Sequence, residues 1–131
     1  MTQDEKAFVL RDLCARLPYG VKVKFEYVIT SPAKIIGINK FFIECEDVTA
    51  NIEDVKPYLF PLSSITEEQI KELSELGVSY GDYALHDNIW GLGISVDEAY
   101  IFFEFCYKHH IDFLGLIDLG LAIDATGLNI Y

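Results

Sequence analysis

The chain has 131 residues with 21 acidic and 10 basic side chains, which give a formal net charge of −11 at pH 7. This charge repels phosphate backbones and anionic lipid surfaces, so we expect no nucleic-acid partner and no membrane association. The length fits a single domain over residues 1–131, and the apolar content of 51% is high enough to predict that some apolar surface meets a partner.

The N-terminal segment, residues 3–17, places its apolar side chains near one helical face and predicts an amphipathic helix. Pro18 and Gly20 end this helix. From Val21 onward the apolar period changes to two, which indicates a strand with one buried face. That face consists of Val21, Val23, Phe25, Tyr27 and Ile29.

Three further segments are predicted as strands joined by short turns: AKIIGI at 33–38, FFIECE at 41–46 and, less distinctly, VTANIE at 48–53. Such short turns favour an antiparallel meander, which forms an open sheet or a small barrel; the sequence leaves both open. The next segment, DVKPYLFPL at 54–62, carries two prolines and is expected to be an extended, edge-like crossing.

Two helices are predicted in the second half. Thr66 and Gln69 form a capping box at the start of the first, and Gly77 ends it. Residues 77–94 combine glycines with aromatic residues and are interpreted as a packed connection, with a binding loop as the alternative. Ser95 begins the last helix, which is apolar almost all round and is therefore expected to be central or shared with another chain.

The C-terminal arm after this helix is expected to contain a short helical turn over residues 114–119, capped by His109 and His110. We expect it to dock Leu116, Ile117, Leu119 and Leu121 on the sheet or on a second chain. The predicted fold class is therefore α+β, with an N-terminal helix, a three- to four-stranded antiparallel meander and two to three C-terminal helices.

The sequence offers one set of potential metal ligands. Cys106, His109 and His110 are close together, and His86 is a more distant fourth candidate. Structural zinc sites generally use paired close spacings, and only one close set exists here, so we expect no metal and no other cofactor. No phosphate-binding glycine loop or nucleophile elbow is present, which favours a protein that is not an enzyme.

The three cysteines, Cys14, Cys45 and Cys106, are odd in number and lie among apolar neighbours. This pattern is typical of buried free thiols in a reducing compartment. No charged stretch leads into an apolar segment at the start of the sequence, and no apolar run reaches the about 18 residues of a membrane helix. We therefore expect a cytoplasmic protein.

Three stretches carry a resemblance to known proteins: DLCARLPYGVKVKFEY at 12–27, IEDVKPYLFPLSSITEEQIKEL at 52–73 and HHIDFLGLIDLGLAIDATGLNIY at 109–131. In order and over most of the chain, they resemble a family of small Bacteroides-type proteins associated with phage or prophage genes. The chain departs from the family pattern at Ile111 and Leu114. The resemblance implies no activity and no catalytic residues, but it favours a binder or assembly factor over a metabolic enzyme.

The leading hypothesis is thus a non-enzymatic interaction or assembly protein of phage or prophage origin that binds a protein partner or forms a homo-oligomer. Two alternatives stay open: an acidic mimic of nucleic acid that inhibits a host DNA-acting enzyme, and a small zinc-dependent hydrolase. The predicted contact surface consists of Trp90, Ile101, Phe102, Phe103, Leu116 and Leu119.

Overall fold

A computed structural model of the protein describes residues 1–26, 32–39, 42–46, 48–78 and 96–131. The fold is α+β, as predicted. Three α-helices are present in these segments: α1 (Gln3–Arg16), α2 (Glu67–Glu75) and α3 (Val96–Lys108). None of them has both the length and the apolar content that a bilayer crossing requires. The strands are β1 (Lys22–Phe25), β2 (Ala33–Ile38), β3 (Ile43–Cys45), β4 (Thr49–Ala50), β5 (Val55–Pro61), β6 (Ile111–Asp112) and β7 (Ile123–Asp124).

The sheet is larger than the predicted meander. Strands β1 to β4 form that meander, in the spatial order β4-β3-β2-β1 with antiparallel pairing. Strand β5 then pairs antiparallel with β1, and the short strands β6 and β7 both pair parallel with β5. The prediction of three or four strands was therefore wrong in size, and the sheet is mixed.

Strand β5 is the segment that was predicted to be an edge-like crossing because of its prolines. Glu26 donates its backbone N–H to the carbonyl of Asp54, so the hydrogen-bonded pairs between β1 and β5 involve the even-numbered residues. Pro57 faces Val23 at a position that requires no N–H donor. A proline at such a position removes no hydrogen bond from the ladder, so β5 can lie inside the sheet.

The first hydrophobic core lies between α1 and the sheet. A capping box between Thr2 and Glu5 starts α1, and this helix buries Val9 and Leu13. Strand β1 buries Val23 and Phe25, with Val21 buried just before it, which confirms the predicted register. Tyr27 and Ile29, the other two residues of the predicted face, lie outside the described residues. The cluster also includes Ile35, Ile43, Val55, Leu59, Leu116 and Leu121.

A second core joins α2 and α3. The predicted capping box of Thr66 and Gln69 is present at the start of α2. The buried side chains of this core are Leu73, Val78, Phe102, Phe105, Cys106 and Ile111. Helix α3 is therefore covered largely by the chain itself. The predicted cap Ser95 lies outside the described residues.

Between β6 and β7 the C-terminal arm forms one hydrogen-bonded turn within the predicted range 114–119: the Leu119 N–H donates to the Gly115 carbonyl at 3.2 Å, and no longer helix is built on it. The carboxylate of Asp112 accepts hydrogen bonds from the backbone N–H groups of Leu116 and Ile117, at 2.9 and 2.8 Å. These bonds hold the chain in a turn and carry Leu116 into the first core, where Leu121 is also buried. Leu119 was expected to dock but is 61% exposed.

Candidate functional site

A buried ion pair at the end of α1 contacts residues that come 90 to 95 positions later in the sequence. The Arg16 Nε donates to Asp12 Oδ2 at 2.8 Å, and both side chains are fully buried. The two terminal nitrogens of Arg16 donate to the backbone carbonyls of Cys106 and Ile111, at 3.1 and 2.7 Å. One guanidinium thus joins α1 to the last turn of α3 and to β6.

The electrostatics of this pair follow from its burial. Burial raises the pKa of the Asp12 carboxyl, and the Arg16 guanidinium offsets part of that effect. Among the described residues, the second oxygen of Asp12 has no hydrogen-bond partner. A buried charge that loses its partner is strongly unfavourable, so the arginine is essential to the junction.

An aromatic groove adjoins this ion pair through Tyr107. The Arg16 Cζ is 5.3 Å from the centroid of the Tyr107 ring, a geometry in which the cation attracts the ring face. Tyr107 also lines a cavity of about 300 Å³ between the end of α1 and α3. This surface, the tyrosine groove, is lined by Ala15, Pro18, Tyr19, Tyr100, Phe103, Glu104 and Tyr107.

The rim of the tyrosine groove is set by a turn of the backbone. Pro18 and Tyr19 belong to a 3-10 turn (Leu17–Tyr19) that ends at Gly20, which has a φ of 72°. The Tyr19 hydroxyl donates to the Glu104 carboxylate at 3.0 Å and so closes one side of the groove. This bond raises the pKa of the Tyr19 hydroxyl. On α3, Tyr100 is 70% exposed.

The described lining of the groove is mainly aromatic and apolar. Among the described residues that line it, Glu104 carries a charge, and these residues include no cysteine, serine or histidine. Tyrosine rings offer a rigid apolar face together with a hydroxyl, a combination that is enriched at protein interfaces. This site can therefore bind by stacking and hydrogen bonding.

The predicted contact surface is divided by the fold. Phe102 and Leu116 are buried in the two cores, and Trp90 lies outside the described residues. Phe103 is half-buried and lines the groove, whereas Ile101 packs against the second core. The apolar content of the sequence predicts that some apolar surface meets a partner. In the C-terminal third the fold covers most of the large apolar side chains, and the strongly exposed ones there include Tyr100 and Leu119.

The candidate metal ligands do not converge in the described part of the chain. His109 Nε2 lies 2.9 Å from the Glu72 carboxylate, and burial raises the pKa of the Cys106 thiol. His110 stacks against Tyr131 instead. Among the described residues no group of three or more histidine, cysteine or acidic side chains is placed to hold a metal ion. His86 lies outside them.

The ring of His110 stacks on Tyr131, with centroids 3.7 Å apart and an interplanar angle of 8°. His110 has a φ of 59°, and its Nδ1 is buried without a partner among the described residues. Burial, reinforced by the nearby charge of Arg16, lowers the pKa of His110 to about 4. The Tyr131 hydroxyl accepts from the Lys22 N–H and donates to the Tyr58 carbonyl, so it bridges β1 and β5.

Sequence reasoning missed Asp12, Arg16 and Tyr19. A signal for the first two exists: they stand four residues apart, next to Val9 and Leu13 on the apolar face of α1. A charged pair at this spacing on the inner face of a helix predicts a buried ion pair. No signal identifies Tyr19, because its partner Glu104 is distant in sequence.

No protein-family model, curated protein or solved structure matches the chain.

Proposed function

We propose that this protein is a non-enzymatic interaction protein, of the phage or prophage origin that the sequence resemblance implies, which self-associates through the tyrosine groove. The observation that carries the proposal is Tyr100, an aromatic side chain 70% exposed at the edge of an aromatic cavity. Exposed aromatic residues beside a pocket are typical anchors of protein interfaces.

The occupant we propose for the groove is a second copy of the chain. A twofold interface uses the same patch on both subunits, so the patch must be complementary to itself. The tyrosine groove has both halves of such a contact, since it combines a projecting ring at Tyr100 with a cavity of about 300 Å³. In a symmetric pair each Tyr100 ring inserts beside the Tyr107 ring of the other copy.

The charge distribution supports this placement. Each chain carries a formal charge of −11, so two copies repel one another at long range. Within the described lining of the groove the charged side chain is Glu104, and its carboxylate already accepts a hydrogen bond from Tyr19. A second copy therefore meets a locally apolar surface, and added salt should strengthen the association because it screens the remaining repulsion.

The test is sedimentation equilibrium of the wild-type chain and of the Tyr100→Glu variant over a wide range of concentrations. We expect the wild-type protein to dimerise, more tightly at high than at low salt. A carboxylate in the groove should raise the dissociation constant at least about tenfold, equivalent to about 1.4 kcal/mol. Tyr100 is exposed, so its replacement should leave the fold intact.

The matched control is Leu76→Glu, which places the same charge at an exposed apolar residue at the end of α2, outside the groove. Its dissociation constant should equal that of the wild-type chain. Ile101 is a poorer test site than the sequence suggests, because it packs against the second core and its replacement also affects stability. A wild-type chain that is monomeric at every concentration and salt would refute the proposal.

A further inference from the structure

The outer face of the sheet concentrates positive charge on an acidic protein. Burial alternates along β1, with Val23 and Phe25 inward and Lys24 outward. The register places Lys22 opposite Lys34 on β2, and Lys24 opposite Lys56 on β5. Residues directly opposite one another share a face of the sheet. Four of the ten basic residues of the chain therefore lie on one face over three neighbouring strands.

Two of these lysines face each other directly across β1 and β5. Lys24 and Lys56 form a hydrogen-bonded pair, for which the Cα atoms are about 5.5 Å apart. Like charges in this arrangement are destabilising. Within the described segments, the ion pairs involve Lys6, Arg16, Lys108 and His109, and neither Lys24 nor Lys56. Residues that cost stability in the free protein are typical of binding sites.

A concave site lies at this lysine pair. A cavity of about 410 Å³ is lined by Lys24, Glu26, Lys56 and Ile123. Its size falls in the range of small-molecule sites, about 300–1,000 Å³. Strand β7 pairs with β5 and brings Ile123 to the cavity as an apolar wall. None of these residues lines the tyrosine groove, so the site is independent of the function proposed above.

We propose that this cavity binds a phosphate monoester of a small hydroxylated molecule, with Lys24 and Lys56 on the phosphate and Glu26 on a hydroxyl group. The charges select this class. Two ammonium groups match a phosphate monoester, which carries a charge of about −1.5 to −2 at pH 7, better than they match a single carboxylate. Glu26 repels an anion, and so it favours a ligand that also presents a hydrogen-bond donor.

The experiment is a titration of isotopically labelled protein followed by NMR at constant ionic strength, with inorganic phosphate and ribose 5-phosphate as the two probes. The ester should bind more tightly than phosphate, with shifts centred on β1 and β5. Lys24→Gln and Lys56→Gln should each weaken ester binding about tenfold or more. The control is Lys71→Gln, an exposed lysine on α2, which should change nothing.

A further variant separates the role of the carboxylate from that of the lysines. Glu26→Gln should remove most of the advantage of the ester over phosphate, because the hydroxyl loses its charged acceptor. The two lysine variants should melt at or above the wild-type temperature, since they relieve a like-charge contact, and this excludes unfolding as the cause of lost binding. Ester binding that persists unchanged in Lys24→Gln and Lys56→Gln overturns the site. Equal affinity for phosphate and the ester overturns the assignment of the ligand class.

Discussion

Replacement of Arg16 by methionine should destabilise the protein more than any surface substitution. Arg16 is fully buried, pairs with Asp12 and donates to the carbonyls of Cys106 and Ile111. Removal of one partner of a buried ion pair costs about 3–5 kcal/mol, because it leaves the other charge buried and unpaired. Native proteins have a free energy of unfolding of about 5–15 kcal/mol, so the variant should be at most marginally folded at room temperature.

The double variant Asp12→Leu/Arg16→Met distinguishes the orphaned charge from lost packing. It removes both charges, and only the two backbone carbonyls of Cys106 and Ile111 stay without their donor. The free energy of unfolding from urea titrations should therefore be higher for the double variant than for Arg16→Met alone. The control Arg11→Met, at an exposed position of the same helix, should stay within about 0.5 kcal/mol of wild type. If the double variant is no more stable than Arg16→Met alone, the unpaired Asp12 charge is not the cause of the loss.

Three further predictions concern the histidines and the thiols. The pKa of His110 is about 4 in the folded state and 6.5 for the free side chain. Between pH 4 and pH 6.5 the unfolded chain therefore binds more protons than the folded chain. The free energy of unfolding should fall by up to about 3 kcal/mol as the pH drops from 6.5 to 4. His110→Asn, which tolerates the positive φ, should remove that slope in urea titrations, and an unchanged slope would contradict the assignment. A thiol reagent should label Cys14 alone in the native protein, because Cys45 and Cys106 are buried and burial raises their pKa; labelling of all three would argue against these cores. Elemental analysis should find no stoichiometric zinc, and zinc that is lost on replacing His109 would support the hydrolase alternative.

The sequence predicted those elements whose signals are local. The capping box at Thr66 and the alternation from Val21 to Phe25 depend on neighbouring residues only, and both are present. Strand β5 was missed because its prolines are unfavourable in a strand unless the register places them away from the hydrogen-bonded pairs. Register is a property of two strands, and Pro57 alone does not reveal it.

The tyrosine groove illustrates the same limit for the site. Its tyrosines come from a turn after α1 and from α3, segments that are about eighty residues apart in sequence. The last helix is apolar almost all round only if Tyr100 and Tyr107 count as apolar residues. That is correct for their rings, but it does not indicate the cavity that they line. The contact surface predicted from the sequence includes Phe102 and Leu116, but these two side chains fill cores within the chain.

The position of Arg16 decides which experiments on the groove can be interpreted. Its guanidinium supports the Tyr107 ring from inside the molecule and also fixes the carbonyls of Cys106 and Ile111. Any change at Arg16 therefore alters the groove and the stability of the fold together, and lost self-association in such a variant would say nothing about the interface. Tyr100 also lines the groove but is 70% exposed. A substitution there changes the proposed contact without disturbing the buried ion pair, which is why the proposed function is tested at Tyr100.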